Sequence, residues 1–480
     1  MKNFSIAITE KIHRQLCKHL IRKDEQEDLC FVTYAPSRGS TRFTGILSEI
    51  VLPHQGERSV HGNAEFYSEY LLRALKIASD RKEGLAFLHS HPFPGWQGMS
   101  PPDIIAEERI SPTAYGMTNL PLVGLTLGND ELWSARFWEK DPVMKRAYTR
   151  KWCGSVRVIG KKLSITFNHN LIKPKTDSTT QLRTISSWGQ KTQDDLSRLK
   201  IGLVGLGSVG SIIAEILARI GIADFVLIDF DSVEDKNLDR TLGVFKSQIG
   251  MAKVEVIAKS LRNSSTSQSI SIETCEYSVC EDEGYKAALN CDIIFSCVDR
   301  PWPRQVLNFI SYAYLIPVVD GGIKVRTSST NTKLLGAAWR AHTVGYNRTC
   351  LECIGQFTSE LAKLESEGLL DKPSYIEGMT NKYNINNSEN VFAFSTFDAS
   401  MEIMQFISLF VSPGGISDLG PQLYNMSLGK LEKDKKSCQS NCLYQTIVGK
   451  GDNTGIKLYG RHKIAEIRRA ERINRFKKVS

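Results

Sequence analysis

At 480 residues, with 41% hydrophobic and 24% charged side chains, the chain is long enough for two or three domains with full cores, and its composition excludes wholesale disorder. No apolar run approaches the roughly eighteen residues that span a bilayer, and the opening MKNFSIAITEKIHRQLCKHL has no signal-peptide core, so a cytosolic protein is expected. The net charge of +9 is uneven: residues 461–480 carry eight Lys or Arg against two Glu.

Residues 5–22 predict a helix, with Ile8, Ile12, Leu16, Leu20 and Ile21 mostly three or four apart. DLCFVTYA and TGILSEIVL predict strands, and residues 64–80 an amphipathic helix. GLAFLHSHP then predicts a strand ended by Pro92. On that strand His89 and His91, two apart, project from one face. Ser100 follows as N-cap of a new helix with Pro101 in its first turn, which carries Asp103. Two histidines and a carboxylate brought together make a three-ligand zinc site whose fourth position is open to water, the arrangement hydrolysis needs.

The whole stretch HSHPFPGWQGMSPPD resembles the signature of the JAMM (MPN-type, Mov34/JAB) metallopeptidases, with similarity outside it weak over residues 5–165. The resemblance implies a mixed α/β metalloprotease domain that cleaves peptide or isopeptide bonds at the C-terminus of ubiquitin-like proteins. It implies His89, His91 and Asp103 as zinc ligands and Ser100 as an oxyanion stabiliser. The general base is implied just before an early apolar strand, where Glu27 fits best and Glu25 and Glu49 are rivals.

KLSITF predicts a last strand of this domain, placed at 1–167, and the polar stretch at 168–182 predicts a linker. The second domain is placed at 183–460 and a basic tail at 461–480.

At 201–210 the chain reads IGLVGLGSVG, followed by the helical run SIIAEILARIG and the apolar FVLIDFD: a strand, a glycine turn, a helix and a second strand. Gly205 permits the turn, Gly207 lets backbone approach a phosphate, and Gly210 lets helix and strand pack closely. Asp229 stands where a ribose hydroxyl is usually held. Beyond the strand ends follow Asp231, Asn237, Arg240 and Lys253, and a third strand, DIIFSCVD, is expected to end at Asp299. So many charges suit a triphosphate with a divalent metal better than a dinucleotide: Arg240 and Lys253 would grip phosphates and Asp299 would hold Mg2+.

GLGSVG, IDFDSVEDKNLDR, GMAK and SCVDRPWPRQVLN together resemble the ThiF/MoeB adenylyltransferases, relatives of ubiquitin-activating enzymes, from about Arg183 to near residue 430. The resemblance implies a Rossmann-like fold and ATP-dependent adenylation of the C-terminal carboxylate of a ubiquitin-like protein. It also implies that Arg183 reaches a partner subunit's nucleotide, hence a homodimer.

Eleven scattered cysteines disfavour a secreted disulfide framework. Cys350-x2-Cys353 and Cys438-x3-Cys442 suit a closed four-cysteine structural zinc, with unpaired reduced thiols and then a redox CxxC as the alternatives. Between Ile354 and Ser437 there is no cysteine. A thioester nucleophile is therefore missing from the segment where conjugating relatives carry one. Adenylation without a thioester step, the adenylate being passed directly to a separate acceptor, is expected, with Cys275, Cys280, Cys291 and Cys297 as the alternative nucleophiles. Of these, Cys291 and Cys297 read as packing residues.

The combined expectation is a bifunctional enzyme of a bacterial ubiquitin-like pathway. A zinc peptidase would process or deconjugate the modifier, and an adenylyltransferase would activate its terminal glycine for a conjugating enzyme. The alternative is release and adenylation of a ThiS- or MoaD-like sulfur carrier. A non-catalytic scaffold is the third reading. The tail is expected to be a solvated or partner-docking helix, with nucleic acid a minor reading and no membrane partner.

Overall fold

The computed structural model describes residues 3–61, 63–144, 147–328, 333–370 and 390–479. They fall into two compact units. The first comprises Met1–Lys173, Ala313–Leu315 and Ile447–Gly455; the second comprises Pro174–Tyr312, Ile316–Thr446 and Ile456–Ser480. The expected linker is thus divided after Lys173, and two short stretches expected in the second domain group with the first. In the second of them Asp452 accepts from Arg38 Nη1 at 2.7 Å.

The first unit begins with a strand, not the expected helix: β1 (Asn3–Thr9) precedes a helix over Glu10–Leu20. Phe4, Ile6 and Ile8 alternate at the strand period and are buried, and the Thr9 hydroxyl caps the helix by accepting from the Ile12 N–H at 3.4 Å. β2 (Leu29–Arg38), β3 (Arg42–Val51), the hairpin β4 (Arg58–His61) and β5 (Asn63–Phe66), and a helix over Ser68–Asp80 follow. Then come β6 (Gly84–Ser90), a helix over Pro101–Thr118, β7 (Leu122–Leu127) and β8 (Trp133–Lys140). The unit continues with β9 (Tyr148–Trp152), β10 (Ser155–Ile159) and β11 (Leu163–Phe167).

Nine strands form one mixed sheet in the order β11-β10-β1-β3-β2-β6-β7-β8-β9. Its two faces read out as alternating residues. Cys30, Val32, Tyr34, Ala86 and Leu88 join the core with Leu16 and Leu20. Leu29, Phe31, Leu85 and Phe87 join the opposite core with Tyr70, Ala74, Leu75, Ile110 and Ala114. Phe31 alone meets Phe66, Tyr70 and Phe87 at ring-centroid distances of 4.8–5.5 Å, and burying a side chain of this size is worth about 2–3 kcal/mol.

The second unit starts with two short helices, Leu182–Trp188 and Gln190–Ser197, parted at Gly189 (φ 86°). β12 (Lys200–Val204), the helix Ser208–Ile220, β13 (Asp224–Ile228) and the helix Lys253–Ser264 follow. β14 (Ser271–Cys275), β15 (Ile293–Ser296) and the helix Pro301–Ala313 lead to β16 (Val318–Thr327) and β17 (Leu334–Val344). The last elements are the helix Phe392–Phe410, β18 (Gln422–Asn425), β19 (Lys430–Lys433) and a helix over Lys463–Val479.

The sheet runs β14-β13-β12-β15-β16-β17-β18-β19, parallel as far as β16 and antiparallel beyond. This is a mixed α/β, Rossmann-like order. Successive strands leave β12 on opposite sides, so a crevice opens at the carboxyl ends of β12 and β15, where such sheets bind ligands. No helix among the described residues is long and apolar enough to cross a membrane.

Candidate active sites

In the first unit, His89 extends the row Leu85–Phe87 on β6, so its ring lies on the sheet face covered by the helix Pro101–Thr118. The strand ends at Ser90, one residue earlier than expected, because Pro92 lacks the N–H to continue the ladder. His91 nevertheless donates its backbone N–H to Leu127 O at 2.9 Å, which keeps it in line.

His89 Nε2 and His91 Nε2 are 3.2 Å apart, and each lies 3.5 Å from a different oxygen of Asp103. Asp103 is delivered by helix capping. Ser100 Oγ accepts the Asp103 N–H at 3.3 Å while Asp103 Oδ2 accepts the Ser100 N–H at 2.8 Å. Because Ser100 Oγ accepts there, its own hydroxyl hydrogen remains available to donate toward the cluster.

Glu27 Oε1 approaches His91 Nε2 at 3.9 Å. Of its rivals, Glu25 is exposed at a left-handed turn (φ 58°) and Glu49 is held by Arg81 Nη1 at 3.0 Å. The three donors of His89, His91 and Asp103 lie within 4.8 Å of one another, a set that fits one divalent ion of zinc's ligand preference.

The sequence reading missed the support beneath these residues. Thr126 Oγ1 lies 3.3 Å from His89 Nε2 and accepts from Arg136 Nη1 at 2.6 Å. Arg136 Nε in turn donates to Glu107 Oε2 at 3.0 Å, and Trp138 Nε1 donates to the same oxygen at 2.6 Å. Arg136 and Glu107 are both fully buried. Beside Glu27, the buried Asp28 pairs with Arg58 and accepts the Leu29 N–H at 2.7 Å, which anchors the start of β2. A signal was present: Arg136 is a charge set among Trp133, Ala135, Phe137 and Trp138.

In the second unit the glycines meet their steric reasons. Gly205 has φ +88°, and a Cβ there would come within 2.5 Å of Cys297 O; a Cβ at Gly210 would collide with Gly205 O. Gly207 has open space around it, as a residue facing a ligand requires.

Asp229, buried at the end of β13, spends both oxygens on backbone. Oδ2 accepts the Leu206 N–H at 2.6 Å and Oδ1 accepts the Asp231 N–H at 2.7 Å. It therefore clamps the glycine turn, and burial pushes its carboxyl above the ordinary range. The acid that faces cations is Asp231, whose Oδ2 accepts from Lys253 Nζ at 3.0 Å. Burial would raise the Asp231 carboxyl, but Lys253 and Arg468 outweigh it and hold it below its ordinary value.

Asn237 Oδ1 accepts the Glu234 N–H at 2.9 Å and shapes the loop, and Arg240 Nη1 lies 3.2 Å from Asp239. The third strand stops at Ser296, short of the expected end. Cys297–Asp299 form the loop beyond it, and Asp299 is exposed there. Arg304 ties this loop down, with Nη2 donating to Val298 O at 2.8 Å and Nε to Asp320 Oδ2 at 3.1 Å. Arg183 is exposed on the first short helix and lines a surface hollow with Thr184, Trp188, Ile216 and Arg219, at the opposite end of the helix Ser208–Ile220 from the glycine turn.

Cys350, Cys353, Cys438 and Cys442 converge, with all four sulfurs within 4.8 Å of one another. The N–H of Cys350 donates to Cys438 Sγ at 3.2 Å and that of Cys353 to Cys350 Sγ at 3.3 Å, contacts that favour thiolates. The x3 spacing of the second pair does not prevent closure. By contrast, Cys280 and Cys291 are buried and Cys275 and Cys297 partly so. Burial pushes the Cys275 thiol up to about 11 and holds those of Cys280 and Cys297 well above their ordinary value. The segment in which conjugating relatives carry a nucleophile lies mostly at 371–389, outside the described residues.

Residues 179–391 match the ThiF family. The match ends short of the expected residue 430. Among curated proteins, ubiquitin-like modifier-activating enzyme 5 of Culex quinquefasciatus is 30% identical over 130 residues, covering 25% of this chain and 32% of that protein. Its counterpart in Drosophila persimilis is 32% identical over 147 residues, covering 28% and 38%. The chain thus spans about a third of the length of these relatives. Among solved structures, E. coli MccB with ATP is similar at 17% identity and a TM-score of 0.42, covering 56% of this chain and 75% of that one. The ThiF match takes in the glycine turn, Asp229, Asp231, Lys253 and Asp299, and stops before Cys438 and the C-terminal helix.

Proposed function

We propose that the second unit is an ATP-dependent adenylyltransferase acting on the C-terminal carboxylate of a ubiquitin-like or peptide substrate. The observation that carries this is the placing, at the carboxyl ends of β12, β13 and β15, of an open glycine turn, the Asp231–Lys253 pair and the exposed carboxylate of Asp299. In the reaction a carboxylate oxygen bonds to the α-phosphorus as the bond to pyrophosphate breaks. Lys253 and Arg240 would neutralise the departing phosphates. Asp299 would hold Mg2+, which supplies further charge neutralisation there.

The first unit, on this reading, is a hydrolase of the bond at the modifier's C-terminus. His89, His91 and Asp103 would hold zinc, which supplies a water acidic enough to ionise near neutrality. Glu27 would accept the proton and return it to the leaving amine, and the Ser100 hydroxyl would donate to the developing oxyanion. One site would then release the carboxylate the other consumes, and a shared chain raises the local concentration for the second step. On this reading the enzyme is a homodimer in which Arg183 of each copy would complete the other's site.

A specific observation favours a second reading of the pathway. Cys280 is buried and Cys275 and Cys297 partly so, which suits direct attack of a separate acceptor, including the sulfur donor for a carrier protein, on the acyl carbon of the adenylate, with AMP leaving.

The deciding experiment is ATP–pyrophosphate exchange with and without a small protein ending in a free glycine carboxylate. Exchange dependent on that carboxylate and abolished by Asp299→Ala is expected; exchange unaffected by Asp299→Ala sinks the assignment of that residue. For the first unit, Glu27→Ala is expected to retain zinc and lose cleavage of a C-terminal extension. Retained cleavage would remove Glu27 as the base.

A further inference from the structure

The basic C-terminal stretch is not a free tail. Its helix, Lys463–Val479, is seated on the second unit by inward-facing arginines. Arg469 forks onto Glu281 at 2.7 and 2.5 Å and lies 4.3 Å over the Tyr277 ring, and Arg472 pairs with Glu276. The chain leading in is equally fixed. Tyr459 stacks on Tyr285 at 4.0 Å, Trp302 Nε1 donates to Leu458 O at 2.7 Å, and the buried His462 lies edge-on to both Phe230 and Trp302. These anchors fall beyond the carboxyl ends of β13, β14 and β15, the rim of the crevice.

From this seat Arg468 reaches Asp231, pairing with Oδ1 while Lys253 holds Oδ2, and its guanidinium lies 5.7 Å over the Phe230 ring. Its side chain remains 43% exposed, on the open side of the pair. Electrostatics gives this contact a consequence. Asp229 and Asp231 are two carboxylates beside a place meant for a polyanion, and Lys253 offsets only one of them. Arg468 supplies the second positive charge.

We propose that Arg468 is a positioning residue of the nucleotide site, contributed by the C-terminal helix. It fixes the Asp231 carboxylate and cancels its charge, so that the crevice accepts a nucleoside triphosphate. This rests on the nucleotide-binding reading of the second unit. Fixed between two cations, Asp231 keeps lone pairs for a ribose hydroxyl while Lys253 keeps N–H donors for phosphate. With Arg461 on Glu466, four of the eight cationic side chains of the tail are engaged with the chain's own acids, which argues against the tail as a nucleic-acid arm.

The test is calorimetric titration of the full chain with Mg2+–ATP. Loss of one charge-assisted contact predicts about tenfold weaker binding for Arg468→Ala. Arg468→Lys, which keeps the charge and loses the fork, should weaken it by only about threefold. In an Asp231→Asn background, Arg468→Ala should add less than about twofold, because the charge it cancels is gone. Arg469→Ala, which loosens the seat without touching Asp231, should weaken ATP binding in the same direction. Wild-type affinity or tighter binding in Arg468→Ala overturns the proposal, as does an undiminished loss in the Asp231→Asn background. If the wild-type chain binds no ATP, the nucleotide reading itself fails and takes this one with it.

Discussion

The two ligand clusters of this chain are built on opposite plans. His89, His91 and Asp103 lie within fifteen residues of one another, brought together by a strand end and the next helix cap, and they offer three ligands. Cys350, Cys353, Cys438 and Cys442 span 93 residues and offer four. A three-ligand set leaves a coordination position for chemistry; a four-thiolate set closes the ion off and ties distant chain segments together. A metal would matter differently in each cluster. In the cysteine cluster it would hold the fold, whereas in the histidine cluster local secondary structure already holds the ligands.

The largest test of that contrast is metal loss. Cys350→Ser should lower the melting temperature of the second unit by about 10 °C or more, because binding free energy at a structural site is folding free energy. His89→Ala should abolish metal binding at its own site and leave the melting curve almost unmoved. Metal analysis alongside calorimetry reads both, and equal shifts from the two variants would break the distinction.

What stiffens the histidine cluster is the buried Glu107–Arg136 pair, which reaches His89 through Thr126. Removing one partner of such a pair costs about 3–5 kcal/mol. Glu107→Ala, read by urea unfolding, should therefore destabilise the first unit far more than any ligand substitution does.

Acid sharpens the contrast from the other side. His342 is buried beside the cysteine cluster, with Nε2 donating to Thr349 O at 2.8 Å, and burial pushes its pKa down to about 4 from 6.5. A histidine whose folded pKa is depressed adds stability above its unfolded pKa and loses it as pH falls through the folded one. The second unit should lose about 3 kcal/mol between pH 6.5 and pH 4 from this group, and His342→Gln should flatten that slope.

The smallest effect is expected at Ser100. Losing the cap should cost about 1 kcal/mol of stability in Ser100→Ala. Loss of cleavage well beyond what that destabilisation accounts for would show that the hydroxyl acts on the reaction as well as on the helix.

The local order of the chain fixed much of this by itself. The glycine turn, the strands on either side of it, the Ser100 cap and the HxH pair are each written within a few residues, so short-range sterics and hydrogen bonding decide them. The opening strand was hidden because Ile8, Ile12 and Leu16 also fit a helix, and only pairing of β1 with β3 and β10 resolves the ambiguity. Tertiary structure alone decided which partners meet. Asp229 came to clamp its own glycine turn, Glu107 and Arg136 met beneath His89, and Arg468 arrived at Asp231 from 237 residues away. Charges have no sequence period of their own, so their pairings follow from how the apolar faces pack.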